Sequence, residues 1–255
     1  MKIYINSAKE NWVVDRFKNE WINYNSKVSR HYLLSNEIIW LMAPWTWKKI
    51  PKRILLKNKV LCTIHHIDEE KFNEEEKNNF LERDEYVNHY HAISNKTYNQ
   101  VKNLTNKPIT MIPFWVNQNI WFSISSKNKL KEKYKIDKDT YVVGTFQRDT
   151  EGFDLKSPKL SKGPDRLIEI FEKINQRNEK FIVILTGKRR NYLIEQLNKK
   201  NINYKYFEMA DFKIINELYN ILDLYIVASR YEGGPASVLE CSITKTPIIS
   251  TDVGI

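Results

Sequence analysis

Short apolar runs alternate along this chain with longer stretches whose apolar positions recur on a helical period. That alternation predicts βαβ units and a parallel sheet, because runs buried on both faces need helices to cover them. In the first half the pattern predicts strands at Lys2–Asn6, Glu37–Met42, Val60–His65, Tyr90–Ser94 and Thr110–Ile112. It predicts helices over Asn11–Tyr24, with Val13, Val14, Phe17 and Trp21 on one face, and over Asn95–Asn103. The acidic run Glu69–Glu85 reads as a solvated helix. In the second half, strands are expected at Tyr141–Phe146, Phe181–Thr186, Leu224–Ala228 and Pro247–Thr251. Helices are expected at Pro164–Asn175, Tyr192–Lys199 and Lys213–Leu222. The fold class is therefore α/β, with two such halves and no internal repeat or low-complexity segment.

The stretch Ser229–Ile255, SRYEGGPASVLECSITKTPIISTDVGI, carries the most chemistry. A loop holding Glu232 leaves a buried strand and enters a helix that the sequence opens at Gly234-Pro235, with proline at the first helical position. Such a helix start aims unpaired N–H groups and the positive dipole end at whatever sits above the strand, which suits a phosphate. Two carboxylates, Glu232 and Glu240, flank that anion site, and hydroxyls of an attached sugar explain their presence. A nucleotide-sugar has both groups. The plain alternative, two unrelated surface glutamates, leaves Gly233, Gly234, Pro235, Ser237 and the trailing strand unaccounted for.

At these residues the chain resembles the family-4 (group 1) glycosyltransferases of the GT-B fold. Their signature is a glutamate, seven residues, a second glutamate, then a small-residue helix and a proline-led strand ending Thr-Asp-Val-Gly. Here it stands as Glu232, Glu240, Pro247 and Thr251–Gly254. The resemblance implies two Rossmann-like, doubly wound parallel-sheet domains facing a cleft. It sets an N-terminal acceptor-side domain at 1–113, a linker at 114–127 signalled by Pro113–Phe122 (PFWVNQNIWF), and a donor domain at 128–255. Relatives continue past Val-Gly, so the second domain is expected to be C-terminally incomplete.

The same resemblance implies roles. Arg148 and Lys162 would grip the donor pyrophosphate, with Glu232 on the sugar hydroxyls and Glu240 on the ribose. Backbone amides of Gly233, Gly234, Ser237, Val238 and Leu239 would lie against sugar and phosphates. Family members transfer with retained configuration and need no carboxylate nucleophile. The chemical sense is direct, because a departing nucleoside diphosphate gathers negative charge that a guanidinium and an ammonium stabilise. An insertion, Asp149–Ser161, separates Arg148 from Lys162 by several residues more than the family spacing, which leaves the direction of Arg148 open. Phe207–Asp211 falls where the family contacts the base. His65, at a strand end, matches a family histidine near sugar or acceptor, and the alternative is a strand-end histidine without a ligand. No metal or other cofactor is implied, and no base, sugar or acceptor is specified.

Other features change less. His89 and His91 alternate on one strand without a third ligand at metal spacing. Asp137-Lys138-Asp139 spells a metal-binding Asp-x-Asp but sits in a polar turn, and is read as a turn. Lys245 stands where relatives carry glycine at a helix end, and a left-handed lysine there costs on the order of 1 kcal/mol. Cys62 and Cys241 read as small core residues.

Charge adds a partner question. The net charge is +10, with 41 Lys and Arg against 31 Asp and Glu. Residues 44–59, PWTWKKIPKRILLKNK, mix tryptophan with basic residues, as segments that dock on anionic membrane do. The alternative there is a basic loop with buried tryptophans. No apolar run is long enough to span a bilayer, and MKIYIN carries no signal-like start, so a cytoplasmic protein, peripheral on the inner face of the membrane, is expected. The sequence thus favours a nucleotide-sugar-dependent transferase acting on a glycan or lipid-linked acceptor in surface polysaccharide synthesis. Two other readings stand beside it: a non-catalytic GT-B-like module using its charge on membrane or, less so, nucleic acid, and a GT-B sugar epimerase, which would not carry this glutamate spacing.

Overall fold

The computed structural model describes residues 1–10, 13–177 and 180–254, and it divides into two compact units. One is Met1–Phe114 with Gly254, the other Trp115–Val253. Asn11 and Trp12, at the start of the first expected helix, lie outside the described residues.

In the first unit the elements run β1 (Ile3–Ile5), α1 (Val13–Tyr24), β2 (Ser29–Arg30), β3 (Ile38–Leu41), α2 (Lys52–Lys57), β4 (Lys59–Ile64), α3 (Glu74–Asp84), β5 (His89–Ala92), α4 (Asn95–Lys102) and β6 (Ile109–Met111). The six strands are parallel in the order β2-β1-β3-β4-β5-β6. Strand order reverses between β1 and β3. There the buried Asn6 side chain donates to Ala43 O at 2.7 Å and Thr46 Oγ1 at 2.8 Å, and accepts from Ala43 N at 2.9 Å. The acidic run becomes helix only from Glu74, where Asn73 caps by accepting from the Glu76 amide at 3.0 Å.

The second unit runs α5 (Lys127–Lys133), β7 (Tyr141–Thr145), β8 (Thr150–Glu151), β9 (Ser157–Pro158), α6 (Pro164–Gln176), β10 (Phe181–Thr186), α7 (Asn191–Lys199), β11 (Tyr204–Phe207), α8 (Phe212–Ile221), β12 (Leu224–Val227), α9 (Ala236–Thr244) and β13 (Ile248–Ser250). Its five parallel strands lie in the order β11-β10-β7-β12-β13. Alternate residues of β7 feed opposite faces: Val142 joins Ile184, Leu218 and Tyr219, whereas Val143 joins Leu167, Phe171 and Leu193. Each such side chain, fully buried, contributes roughly 1.5–3 kcal/mol. Gly144, the next residue, leaves room for Leu222, whose Cδ1 would lie 2.3 Å from a Cβ placed there.

Three expectations change. Of the expected linker, residues 115–127 pack into the second unit: Trp121 is buried in its core, and the Phe122 and Ile124 amides donate to Asn216 and Asn220 of α8 at 3.1 and 2.7 Å. Apolar Trp121 and Ile120 have more to gain from that core than from solvent. The insertion 149–161 is folded, its β8 and β9 pairing antiparallel. Finally, α9 begins at Ala236; Pro235 precedes it in extended conformation, with ψ 120.

Candidate functional site

In the second unit the strand order reverses between β7 and β12, and the loops leaving their C-terminal ends are where open α/β sheets bind ligands. Those loops carry Arg148, Glu232 and the approach to Lys162. Gly163 makes their meeting feasible. It is left-handed, at φ 64, and a Cβ there would fall 1.9 Å from the Ala228 carbonyl oxygen at the end of β12. The start of α6 is thereby pressed against β12.

Lys162 Nζ reaches Glu232 Oε1 at 2.6 Å, and both side chains are mostly buried. The same Glu232 oxygen accepts from Ser229 Oγ at 2.9 Å. Ser229 Oγ also faces Gln147 Oε1 at 3.2 Å, while Gln147 Nε2 donates to the Lys162 carbonyl at 2.8 Å. Two predicted site residues therefore form an ion pair whose loops are stitched by Gln147 and Ser229, which sequence reasoning missed. Arg230 adds a strut, forking onto Asp165 of α6 at 2.8 and 2.6 Å and holding that carboxyl below its usual range. The Arg230 amide donates to Ser161 O at 2.8 Å. Thr251, of the Thr-Asp-Val-Gly run, donates its hydroxyl to Ser229 O at 2.6 Å.

Arg148 is exposed, one residue beyond Gln147. The backbone on both sides of it is held. Asp149 forms a fully buried ion pair with Arg190 Nε at 2.6 Å, and the Arg190 guanidinium also donates to the Gln147 and Thr186 carbonyls. Burial pushes the Asp149 carboxyl up and the Arg190 guanidinium down, each opposed by the other's charge. Neither residue had a sequence signal beyond its identity, because pairing over such separation leaves no local pattern.

Glu240 is buried on the second turn of α9, where Tyr219 Oη of α8 donates to it at 2.8 Å. Tyr219 belongs to an aromatic cluster with Trp121, Phe146 and Tyr225. Gly233 is buried, and Gly234, Ser237 and Leu239 are half-buried along the loop and first turns. The Val238 amide, expected to face a ligand, already donates to the Pro235 carbonyl at 3.0 Å. In the expected base-contacting loop, Phe207 packs edge-on against Tyr134, and Asp211 caps α8 by accepting from the Ile214 amide at 2.8 Å.

In the first unit His65 follows β4 and donates from Nε2 to Met42 O at 2.7 Å, which fixes its tautomer. Trp45 and Phe114 pack against its ring, and burial lowers its pKa to about 4, so it is neutral near pH 7. His89 and His91 bond to Thr110 and to Thr63 and Ile112. Among the described residues no group of three His, Cys, Asp or Glu is placed to hold a metal. Asp137 sits in a turn, accepting from the Thr140 amide with its carbonyl, and pairs with Lys180 at 2.7 Å. Cys62 and Cys241 are free and buried.

Residues 155–255 match the family model of the glycosyl transferases group 1. An uncharacterized glycosyltransferase of Methanocaldococcus jannaschii is 28% identical over 130 residues, which make up 50% of this chain and 30% of that protein. The match thus spans less than a third of the curated relative. Among solved structures, Anabaena HepE in complex with UDP and glucose superposes with TM-score 0.76 at 13% identity, covering 100% of this chain and 81% of HepE. Sucrose-phosphate synthase of Thermosynechococcus elongatus gives TM-score 0.68 at 14% identity, over 94% of this chain and 61% of that one. These likenesses establish the fold, that of the GT-B glycosyltransferases.

Proposed function

From the match of residues 155–255 to the group 1 glycosyl transferases and the GT-B fold of the chain, we propose that the protein is a retaining transferase that moves a sugar from a nucleotide-sugar to a glycan or lipid-linked acceptor. The observation that carries the proposal is the Lys162–Glu232 pair at 2.6 Å, set where the strand order reverses. An ammonium has three donors, so Lys162 can keep Glu232 and still bind a diphosphate. In this reading exposed Arg148 serves as the second cation, Glu232 meets sugar hydroxyls, and Glu240 meets the ribose.

In the reaction the bond from the anomeric carbon to the β-phosphate oxygen breaks, and its electron pair leaves with the nucleoside diphosphate. An acceptor hydroxyl oxygen bonds to the same face of that carbon, and its proton passes to the departing phosphate. Arg148 and Lys162 stabilise the charge that gathers there. No metal is invoked, since the two cations supply the positive charge.

For acceptor and location, the support is an exposed basic face of the first unit. Along 44–59, Trp45, Lys48, Lys49, Lys52, Arg53, Leu56 and Lys57 are exposed, whereas Trp47 is buried and drops out of the expected docking set. That face suits an anionic bilayer carrying a lipid-linked acceptor of surface polysaccharide synthesis. Among the described residues no helix is long and apolar enough to cross a membrane.

Labelled UDP-, GDP- and ADP-sugars offered with membranes test the activity. Wild type should move label from one donor class into lipid or polymer, and Lys162→Ala should slow this by about 10²–10³-fold. Failure of every donor to yield product or free nucleoside diphosphate would refute the reading. HepE, solved with UDP-glucose, makes that donor the first to try.

A further inference from the structure

We infer that Gln147 is a positioning residue of the donor site: its side chain holds the Lys162 backbone, and its own backbone carries Arg148. The inference rests on the donor site proposed above. Gln147 leaves the end of β7 immediately before Arg148. Its amide lies between two loops that no sheet hydrogen bond connects: Nε2 donates to the Lys162 carbonyl at 2.8 Å, and Oε1 lies 3.2 Å from Ser229 Oγ, whose single proton goes either to it or to Glu232 Oε1 at 2.9 Å. Ser229, fully buried, then reaches Glu232 Oε1, which Lys162 Nζ also holds. The four side chains thus form one cluster in which Gln147 holds the Lys162 backbone, Lys162 holds Glu232, and Ser229 lies within reach of both Glu232 and Gln147.

The other side of Gln147 is anchored too. Its carbonyl accepts from the buried Arg190 guanidinium, which simultaneously pairs with Asp149. Both neighbours of Arg148 are therefore fixed by one buried cation, and Arg148 projects from a pinned tripeptide. Rotating the Gln147 amide would turn an oxygen toward the Lys162 carbonyl and lose the Nε2 bond, so that one bond fixes the side chain's orientation. Gln147 places its neighbours without being assigned any contact with the donor.

Calorimetric titration of UDP, GDP and ADP into wild type selects the nucleotide that binds, and that nucleotide is then the probe. Gln147→Met keeps length and volume but loses the bond to the Lys162 carbonyl, and should weaken the probe about tenfold while the thermal midpoint moves little. Gln147→Glu keeps an oxygen for Ser229 but turns an acceptor toward the Lys162 carbonyl, so it should track Gln147→Met. The deciding readout is a double-mutant cycle with Lys162→Ala. If Gln147 acts by placing Lys162, the two losses combine to less than their product; a general structural role makes them multiply. Should Gln147→Met fail to fold, Ser229→Ala disturbs the same cluster and should show the same coupling. Affinity within about twofold of wild type, or losses that multiply, overturns the inference alone. No nucleotide binding by wild type overturns the proposed function, and this inference with it.

Discussion

A charge taken out of water survives only with a partner, and Asp149 with Arg190 shows the consequence at the scale of a residue. Arginine keeps its proton in proteins, so the pair stays ionic despite burial. Arg190→Leu strands a buried carboxylate and should cost about 3–5 kcal/mol, whereas Asp149→Leu made together with Arg190→Leu should cost less. Denaturant midpoints of the three proteins check this; equal losses would argue against a true pair. His65 gives a pH dependence of defined sign. Its pKa falls from 6.5 to about 4 on folding, so the unfolded chain takes up the proton first as pH drops. Its contribution is complete above pH 6.5, is lost between pH 6.5 and about 4, and amounts to at most about 3 kcal/mol. A His65→Phe variant should lose less stability than wild type across that window in thermal scans at fixed salt. Equal acid sensitivity would show that the buried ring is not the cause.

At the scale of elements, backbone conformation decides what the loops can do. Lys245, at φ 60, closes α9 in the left-handed region, as its place at the helix end foretold. Lys245→Gly removes that strain and should stabilise by about 0.5–1 kcal/mol, read as a raised melting temperature. Gly163→Ala runs the other way. It adds left-handed strain of about 1–2 kcal/mol and a Cβ against the Ala228 carbonyl, so α6 must back away from β12 and the Lys162–Glu232 pair should open. Loss of nucleotide binding with the first unit still folded is the expected result.

Strands such as Phe181–Thr186 and helices such as Pro164–Gln176 were legible because periodicity is local. The β8–β9 hairpin was not, since its two-residue strands, Thr150–Glu151 and Ser157–Pro158, are too short for a period. The edge strands Ser29–Arg30 and Tyr204–Phe207 were missed as well; the second, YKYF, is half-buried throughout and so carries no alternation of inside and outside. In the candidate site, Glu232, Glu240, Arg148 and Lys162 could be named from a motif. Gln147, Ser229, Arg190 and Tyr219 could not, because their value lies in partners that only the fold brings near.

Across the whole molecule, the net charge of +10 is spread over both halves but acquires direction at α2 and the turn before it. If that face docks on anionic lipid, Trp45→Ala with Lys48→Ala, Lys49→Ala and Arg53→Ala should abolish sedimentation with phosphatidylserine vesicles and leave nucleotide affinity unchanged. Sedimentation unaltered by the four changes would remove the membrane from the account. The central claim, a donor site between the loops after β7 and β12, is tested most directly by titrating UDP, GDP and ADP into wild type, Glu240→Ala and Arg148→Ala in a calorimeter. The account predicts that one nucleotide binds selectively and that its affinity falls in both variants, by about tenfold or more for each lost charge-assisted contact. A nucleotide that binds wild type and both variants alike would place its site elsewhere and contradict the claim.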